Sequence, residues 1–167
     1  MECTTQRLHI RPIEEQDRER ILDLLTDEIV GRTYMLPQYA SREEAIPLFR
    51  RLMELSRNRQ RYVAGICLEG ELIGIVNDTE IRDRQIEMGY ALLPAYHNRG
   101  YATEAFRSVI AYLLENGFTQ VIAGAFMENA ASIRVMEKCR MKKLPHTDTV
   151  EYRGQTHTCV YYAATKA

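Results

Sequence analysis

The chain has 167 residues and no Pro/Gly/Ser-rich linker, so a single domain over 1–167 with one closed core is expected. Its 22 basic and 23 acidic side chains leave a net charge of −1, which excludes a general attraction to polyanions; no direct nucleic-acid binding is expected, and the run Arg50, Arg51, Arg57, Arg59 and Arg61 reads as a solvated helix face and loop. Cys3, Cys67, Cys139 and Cys159 form no CxxC pair, the four histidines lack ligand spacing, and no run is apolar enough for a signal or a membrane span; a cytoplasmic protein without structural metal follows as the expectation.

Leu8, Ile10 and Pro12 alternate with Arg7, His9 and Arg11, which predicts a first strand ending at the proline. Glu14 to Thr26 carries Ile21, Leu22, Leu24 and Leu25 on one helical face, and Asp27 to Ala40 reads as irregular with about one helical turn. Ser41 with Glu44 three residues later is a capping-box signature for a second helix from Arg42 to about Ser56. Tyr62–Leu68 and Leu72–Asn77 flank Glu69-Gly70-Glu71 as a hairpin, and Ile86 to Leu92 forms the next strand, closed by Pro94; these three pair antiparallel.

Beyond Pro94 the period becomes helical, with Ala102, Phe106, Val109, Ile110, Leu113 and Leu114 aligned up to Asn116-Gly117. Val121–Phe126 is almost wholly apolar, as for a strand covered on both faces. Asn129 suits the N-cap of a helix reaching about Cys139, and Val150 to Ala163 closes the chain as a hairpin around Gly154-Gln155. The hairpin leaves room for a homodimer without specifying one.

The segment Tyr96-His97-Asn98-Arg99-Gly100-Tyr101-Ala102-Thr103 joins a strand end to a helix start, where small residues at Gly100 and Ala102 leave backbone amides open. Such amides, aided by the helix dipole, suit a diphosphate; a tight structural turn explains the glycine equally well. The chain contains neither GxxxxGK[ST] nor GxGxxG.

The run Asn98-Arg99-Gly100-Tyr101-Ala102-Thr103-Glu104-Ala105, with Ile86-Glu87-Met88-Gly89-Tyr90 before it and Asn129-Ala130-Ala131-Ser132-Ile133-Arg134-Val135-Met136-Glu137-Lys138 after it, resembles the GNAT acetyltransferase superfamily, in particular its ribosomal-protein N-terminal acetyltransferase branch. The likeness covers nearly the whole chain. It implies an α/β (α+β) fold with a mixed, mostly antiparallel central sheet flanked by helices, and an enzyme that moves an acetyl group from acetyl-CoA to an amine, either a protein N-terminus or a small molecule. Three departures stand out: His97 replaces the motif's first Gln or Arg, Asn98 stands at a common glycine, and Cys139-Arg140-Met141 replaces Leu-Gly-Phe.

On that resemblance Leu92, Leu93, Asn98, Arg99, Gly100, Tyr101, Ala102, Thr103 and Asn129 are the candidate cofactor residues, with amides near Leu92 and Leu93 holding the acetyl oxygen. Glu87 is the candidate base, acting through water; the alternative is a glutamate paired with Arg82 or Arg84. Ser132 is the candidate acid, although a hydroxyl is weak and water can serve, and Asn129 also makes sense as a plain N-cap. Tyr34, Met35 and Tyr39 are candidates for the acceptor wall, and either Tyr161 or Tyr162 can approach it. A non-catalytic acyl-CoA binding or sensing module is the alternative function.

Overall fold

A computed structural model describes residues 1–166; Ala167, the last residue of the expected domain, lies outside them. The strands are β1 (Cys3–Thr4), β2 (Leu8–Arg11), β3 (Ala64–Leu68), β4 (Glu71–Arg82), β5 (Gln85–Leu92), β6 (Gln120–Phe126), β7 (Lys142–Tyr152) and β8 (Gln155–Thr165). They form one sheet in the order β1-β2-β3-β4-β5-β6-β8-β7, antiparallel except for β5 beside β6. The helices are α1 (Arg18–Thr26), α2 (Glu28–Gly31), α3 (Ile46–Ser56), α4 (Tyr101–Glu115) and α5 (Ala130–Lys138).

Because side chains alternate across a strand, the sheet feeds two cores. Ile86, Met88 and Leu92 of β5 pack with Phe106, Val109 and Leu113 of α4 and Met136 of α5. Ala91 and Ile75 face the other way, onto Ile21, Leu24 and Phe49 of α1 and α3. Beneath α1, Arg11 makes a bidentate pair with Asp17 at 2.8 and 2.9 Å, and Asp17 also accepts from the Glu14 amide at 2.8 Å. Burial lifts the Cys67 and Cys139 thiols to about 11, so both behave as small apolar residues.

Several elements differ from the sequence expectation for local reasons. β4 runs on to Arg82 instead of stopping at Asn77, because residues 79–85 project beyond the core and lose the apolar alternation that marks a half-buried strand. β7 begins at Lys142, eight residues ahead of Val150, as a largely exposed edge strand that tolerates Pro145 at a register shift. β6 is covered fully on one face only: Ile122 is half-buried and Gly124 exposed. The capping box is displaced, since Glu44 accepts from the Ala40 amide at 2.9 Å, and α3 starts at Ile46 after a 3-10 turn.

Arg140 does not disturb the end of α5. The Met141 amide reaches the Met136 carbonyl at 3.1 Å and the Arg140 amide reaches Glu137 at 2.9 Å, a Schellman closure with Arg140 at φ +61°. A side chain in that left-handed conformation costs about 1 kcal/mol. Arg140→Gly is therefore expected to raise stability by up to ~1 kcal/mol, read as a higher midpoint in urea with unchanged slope.

Candidate active site

β5 and β6 are in register only at Gln85–Gln120, Ile86–Val121 and Glu87–Ile122; beyond Glu87 they separate. The separation begins opposite a bulge in β4, where Asp78 pairs with Met88 and Glu80 with Glu87, leaving Thr79 extra. Asp78 anchors that bulge: its buried carboxylate accepts from Arg61 Nε at 2.6 Å and from the Tyr62 amide at 2.7 Å. The far end of β5 can press against β4 because position 74 is glycine; a Cβ there would lie 2.3 Å from the Ala91 carbonyl oxygen.

The gap opens into a cleft of about 710 Å³. The Leu93 amide donates to the Ile73 carbonyl at 2.9 Å, so the alternation of an antiparallel ladder turns the backbone groups of Leu93, Ala91 and Gly89 toward β4. Those of Leu92, Tyr90 and Met88 consequently face the gap. Leu93 is corrected accordingly: its amide already has a partner, and its buried side chain lies in the core under α1. The Leu92 carbonyl accepts from His97 Nε2 at 2.8 Å, which requires the proton on Nε2 and leaves the Leu92 amide as the open donor.

At the next corner, Gly100 is the N-cap of α4 at φ +81°, and no side chain caps the helix. The first-turn amides of Tyr101, Ala102 and Thr103 have no intrahelical acceptor, and Asn98, Gly100 and these three residues line the cleft. Asn98 fits its position because Asn tolerates the left-handed φ of +59°. Arg99 is exposed and does not line the cleft.

Across the gap, Asn129 Oδ1 accepts from the Ser132 amide at 3.2 Å, so it is an N-cap as well as a cleft residue. Ser132 Oγ lies 2.9 Å from the Tyr90 hydroxyl, whose pKa burial raises. Tyr90, alternating with core residues and packed against Phe106 with the rings tilted by 42°, gave no sequence signal for this contact. Arg134 and Lys138 of α5 also line the cleft and were passed over, although both stand in the motif that carries the resemblance.

Glu87 shares a strand face with Gly89, a cleft residue, but is not itself in the cleft lining. Desolvation raises its pKa, opposed by Thr79 and His146 and reinforced by Glu80 and Asp148. The ion pair foreseen as its alternative is not formed: Arg82 pairs with Glu80 at 2.7 Å, and Arg84 donates to the Gly117 carbonyl. Tyr161 lies on the same side, stacked on His146 and covering Gly124, whereas Tyr162 is in the opposite core.

The side of the cleft away from α5 is walled by Ile29, Val30, Arg32, Thr33 and Tyr34. Tyr34 donates to Asn77 and packs beside Gly89. Met35 points outward, 58% exposed, and Tyr39 packs on the core near α1 and α3, so neither joins Tyr34 in the cleft. The wall is formed earlier in the chain than expected because Asp27 caps α2 by accepting from the Val30 amide at 2.9 Å.

Residues 7–142 match the family described as Acetyltransferase (GNAT) domain. The chain belongs to the GNAT acetyltransferase superfamily. It is 30% identical over 144 residues to the uncharacterized N-acetyltransferase YoaA of Bacillus subtilis (strain 168), covering 83% of this chain and 81% of that protein. The solved acetyltransferase (GNAT family) from Bacillus anthracis shares the fold at a TM-score of 0.85 and 24% identity, over 99% of this chain and 98% of that one. A coenzyme A complex of RimL, the ribosomal L7/L12 alpha-N-protein acetyltransferase, does so at 0.86 and 17%, over 98% and 96%. This GNAT protein is an enzyme that transfers an acetyl group from acetyl-CoA to an amine. Among the described residues no group of His, Cys, Asp and Glu is arranged to hold a metal, and no helix is long and apolar enough to cross a membrane.

In the GNAT enzyme the cleft wall that carries Tyr34 is tied to β7 through one phenol. Tyr152 donates to the Gly31 carbonyl at 2.6 Å and accepts from the Leu36 amide at 3.1 Å. Tyr152→Phe removes both bonds, at about 1 kcal/mol each. Melting should show a loss of ~1–2 kcal/mol, and steady-state kinetics a raised KM for the amine with KM for acetyl-CoA unchanged.

Proposed function

We propose that the cleft between β5 and β6 holds the acetyl donor and that Glu87 and Ser132 serve the proton transfers of amine acetylation. The observation that carries this reading is the uncapped start of α4 beside the unpaired edge of β5. The amides of Asn98, Gly100, Tyr101, Ala102 and Thr103 suit a diphosphate, Arg134 and Lys138 add positive charge while Arg99, outside the cleft lining, is withdrawn from direct contact, and the open β5 edge at Met88 and Tyr90 suits the amides of the pantetheine arm. Acetyl-CoA supplies an activated thioester when bound. The chain's own tasks are then to hold the carbonyl oxygen, receive a proton from the amine and deliver one to the leaving thiol.

The Leu92 amide is assigned to the oxygen, as a fixed donor where charge develops. Glu87 is assigned to the amine proton through an intervening water, consistent with a carboxylate held back from the cleft lining and with a raised pKa. Ser132, backed by the Tyr90 hydroxyl, is assigned to the thiol. Tyr34 contributes an acceptor contact, while Met35 and Tyr39 are withdrawn from that role because neither reaches the cleft. The acceptor is a primary amine of a protein N-terminus or of a small molecule; RimL, named for acting on a ribosomal protein α-amine, supports the first.

Titration calorimetry with acetyl-CoA, dephospho-CoA and adenosine diphosphate tests the donor site. Acetyl-CoA is expected to bind most tightly, and absence of binding would overturn the assignment of the cradle. Peptides with free N-termini and spermidine then separate the acceptor classes by thiol release.

A base is active when deprotonated, so kcat/KM should fall as pH drops through the raised Glu87 pKa, with the acid limb above the ordinary carboxylate range. Glu87→Gln should remove that limb and lower kcat/KM by about 10²-fold or more. Because burial penalises the charged carboxylate, this variant should be no less stable at neutral pH, which separates lost chemistry from lost fold. Ser132→Ala should lower kcat by roughly tenfold or more with KM for acetyl-CoA little changed; full turnover would remove Ser132 from the mechanism.

A further inference from the structure

Arg7, just ahead of β2, reaches 97 residues along the chain to Glu104 in the first turn of α4. Both oxygens of Glu104 are occupied from that direction. Oε1 accepts from the Thr5 hydroxyl at 2.6 Å and the Arg7 amide at 2.9 Å, and Oε2 accepts from Arg7 Nε at 2.7 Å and is ion-paired with Nη2 at 2.6 Å. The remaining arm of the guanidinium, Nη1, donates to the Arg99 carbonyl at 3.2 Å, and the group lies over the Tyr101 ring at 4.4 Å. One side chain thus holds Arg99, Tyr101 and Glu104, three points around the open amides.

A carboxylate in the first turn of a helix is favourable in the free protein, because it complements the dipole. Where the same turn receives an anion, an uncompensated carboxylate opposes it, at a distance well inside the ~8 Å screening length of physiological salt. On the reading that these amides take the donor's diphosphate, we propose that Arg7 is a positioning residue for acetyl-CoA: it turns the Glu104 carboxylate away from the α4 amides, offsets its charge and holds the Arg99–Tyr101 loop open. The hydrogen bonds from Thr5 and Arg7 outweigh partial burial and hold Glu104 below the usual carboxylate range, so it remains charged and dependent on its partner at neutral pH.

The test uses the full-length protein as wild type, Arg7→Met, Glu104→Gln and the double variant, each checked by melting. Methionine keeps an apolar stem over Tyr101 while removing the charge. Calorimetry should show acetyl-CoA binding weakened about tenfold in Arg7→Met, equivalent to ~1.4 kcal/mol, with a parallel rise in its KM and kcat at saturation within about twofold. The double variant should recover most of that affinity, since removing the carboxylate removes what Arg7 restrains. Acetyl-pantetheine, a donor without diphosphate, should show the same kcat/KM with Arg7→Met as with wild type. Unchanged acetyl-CoA affinity in Arg7→Met, equal losses with both donors, or a double variant as weak as Arg7→Met would each overturn the role of Arg7. Failure of the wild-type protein to bind acetyl-CoA would instead overturn the diphosphate reading, and the role of Arg7 with it.

Discussion

The extra residue that β4 carries at Thr79 is where the sheet stops being uniform. Up to that level β5 has a neighbour on each side; past it β5 follows β4 while β6 diverges. A bulge increases local twist, and the buried Asp78 beside it, tied to Arg61 and the Tyr62 amide, makes relaxation into a regular ladder unfavourable. The result is a stretch of strand whose backbone groups are left without a strand partner in the middle of the sheet rather than at its edge, facing the cleft. The cleft, the open Leu92 amide and the approach of α5 to Tyr90 all depend on that divergence.

Much of this architecture was legible in the amino-acid order because the interior elements keep strict periods. α4, with apolar residues from Ala102 to Leu114, and β5, alternating from Ile86 to Leu92, lie where burial dictates residue type, and their boundaries came out within a residue or two. The segments that escaped are those the core does not touch. The outer half of β4 and the first half of β7 are held by backbone pairing, which leaves little trace in side-chain character. The two residues of β1 are too few to show any period.

The site divides in a similar way. Gly100 and Asn129 were legible as helix starts, which need particular residue types, whereas Asn98 and Ser132 were singled out through the family resemblance; the fold brings all four to one cleft. Leu93 was misjudged because the parity of an antiparallel ladder is fixed by register, which neighbouring letters do not reveal. Tyr90 was overlooked because a tyrosine with its ring in the core and its hydroxyl at a cleft obeys the same alternation as an ordinary core residue. Departures at Asn98 and Arg140 proved conservative: both occupy left-handed positions, with the backbone turn retained at modest strain.

β8 is an interior strand, lying between β6 and β7, although it is the last of the eight in sequence. Its hairpin partner β7 supplies the phenol that ties residues 31–36, 116 to 121 positions earlier in the chain. The core around α1 and α3 is built from residues up to Leu93, so none of its members comes from β7 or β8. The cleft wall at residues 31–36, by contrast, is held by a strand whose own place in the sheet depends on β8 lying beside β6. The order of that wall thus rests on a contact of long sequence separation, whose formation carries the entropy cost of closing a loop of more than a hundred residues.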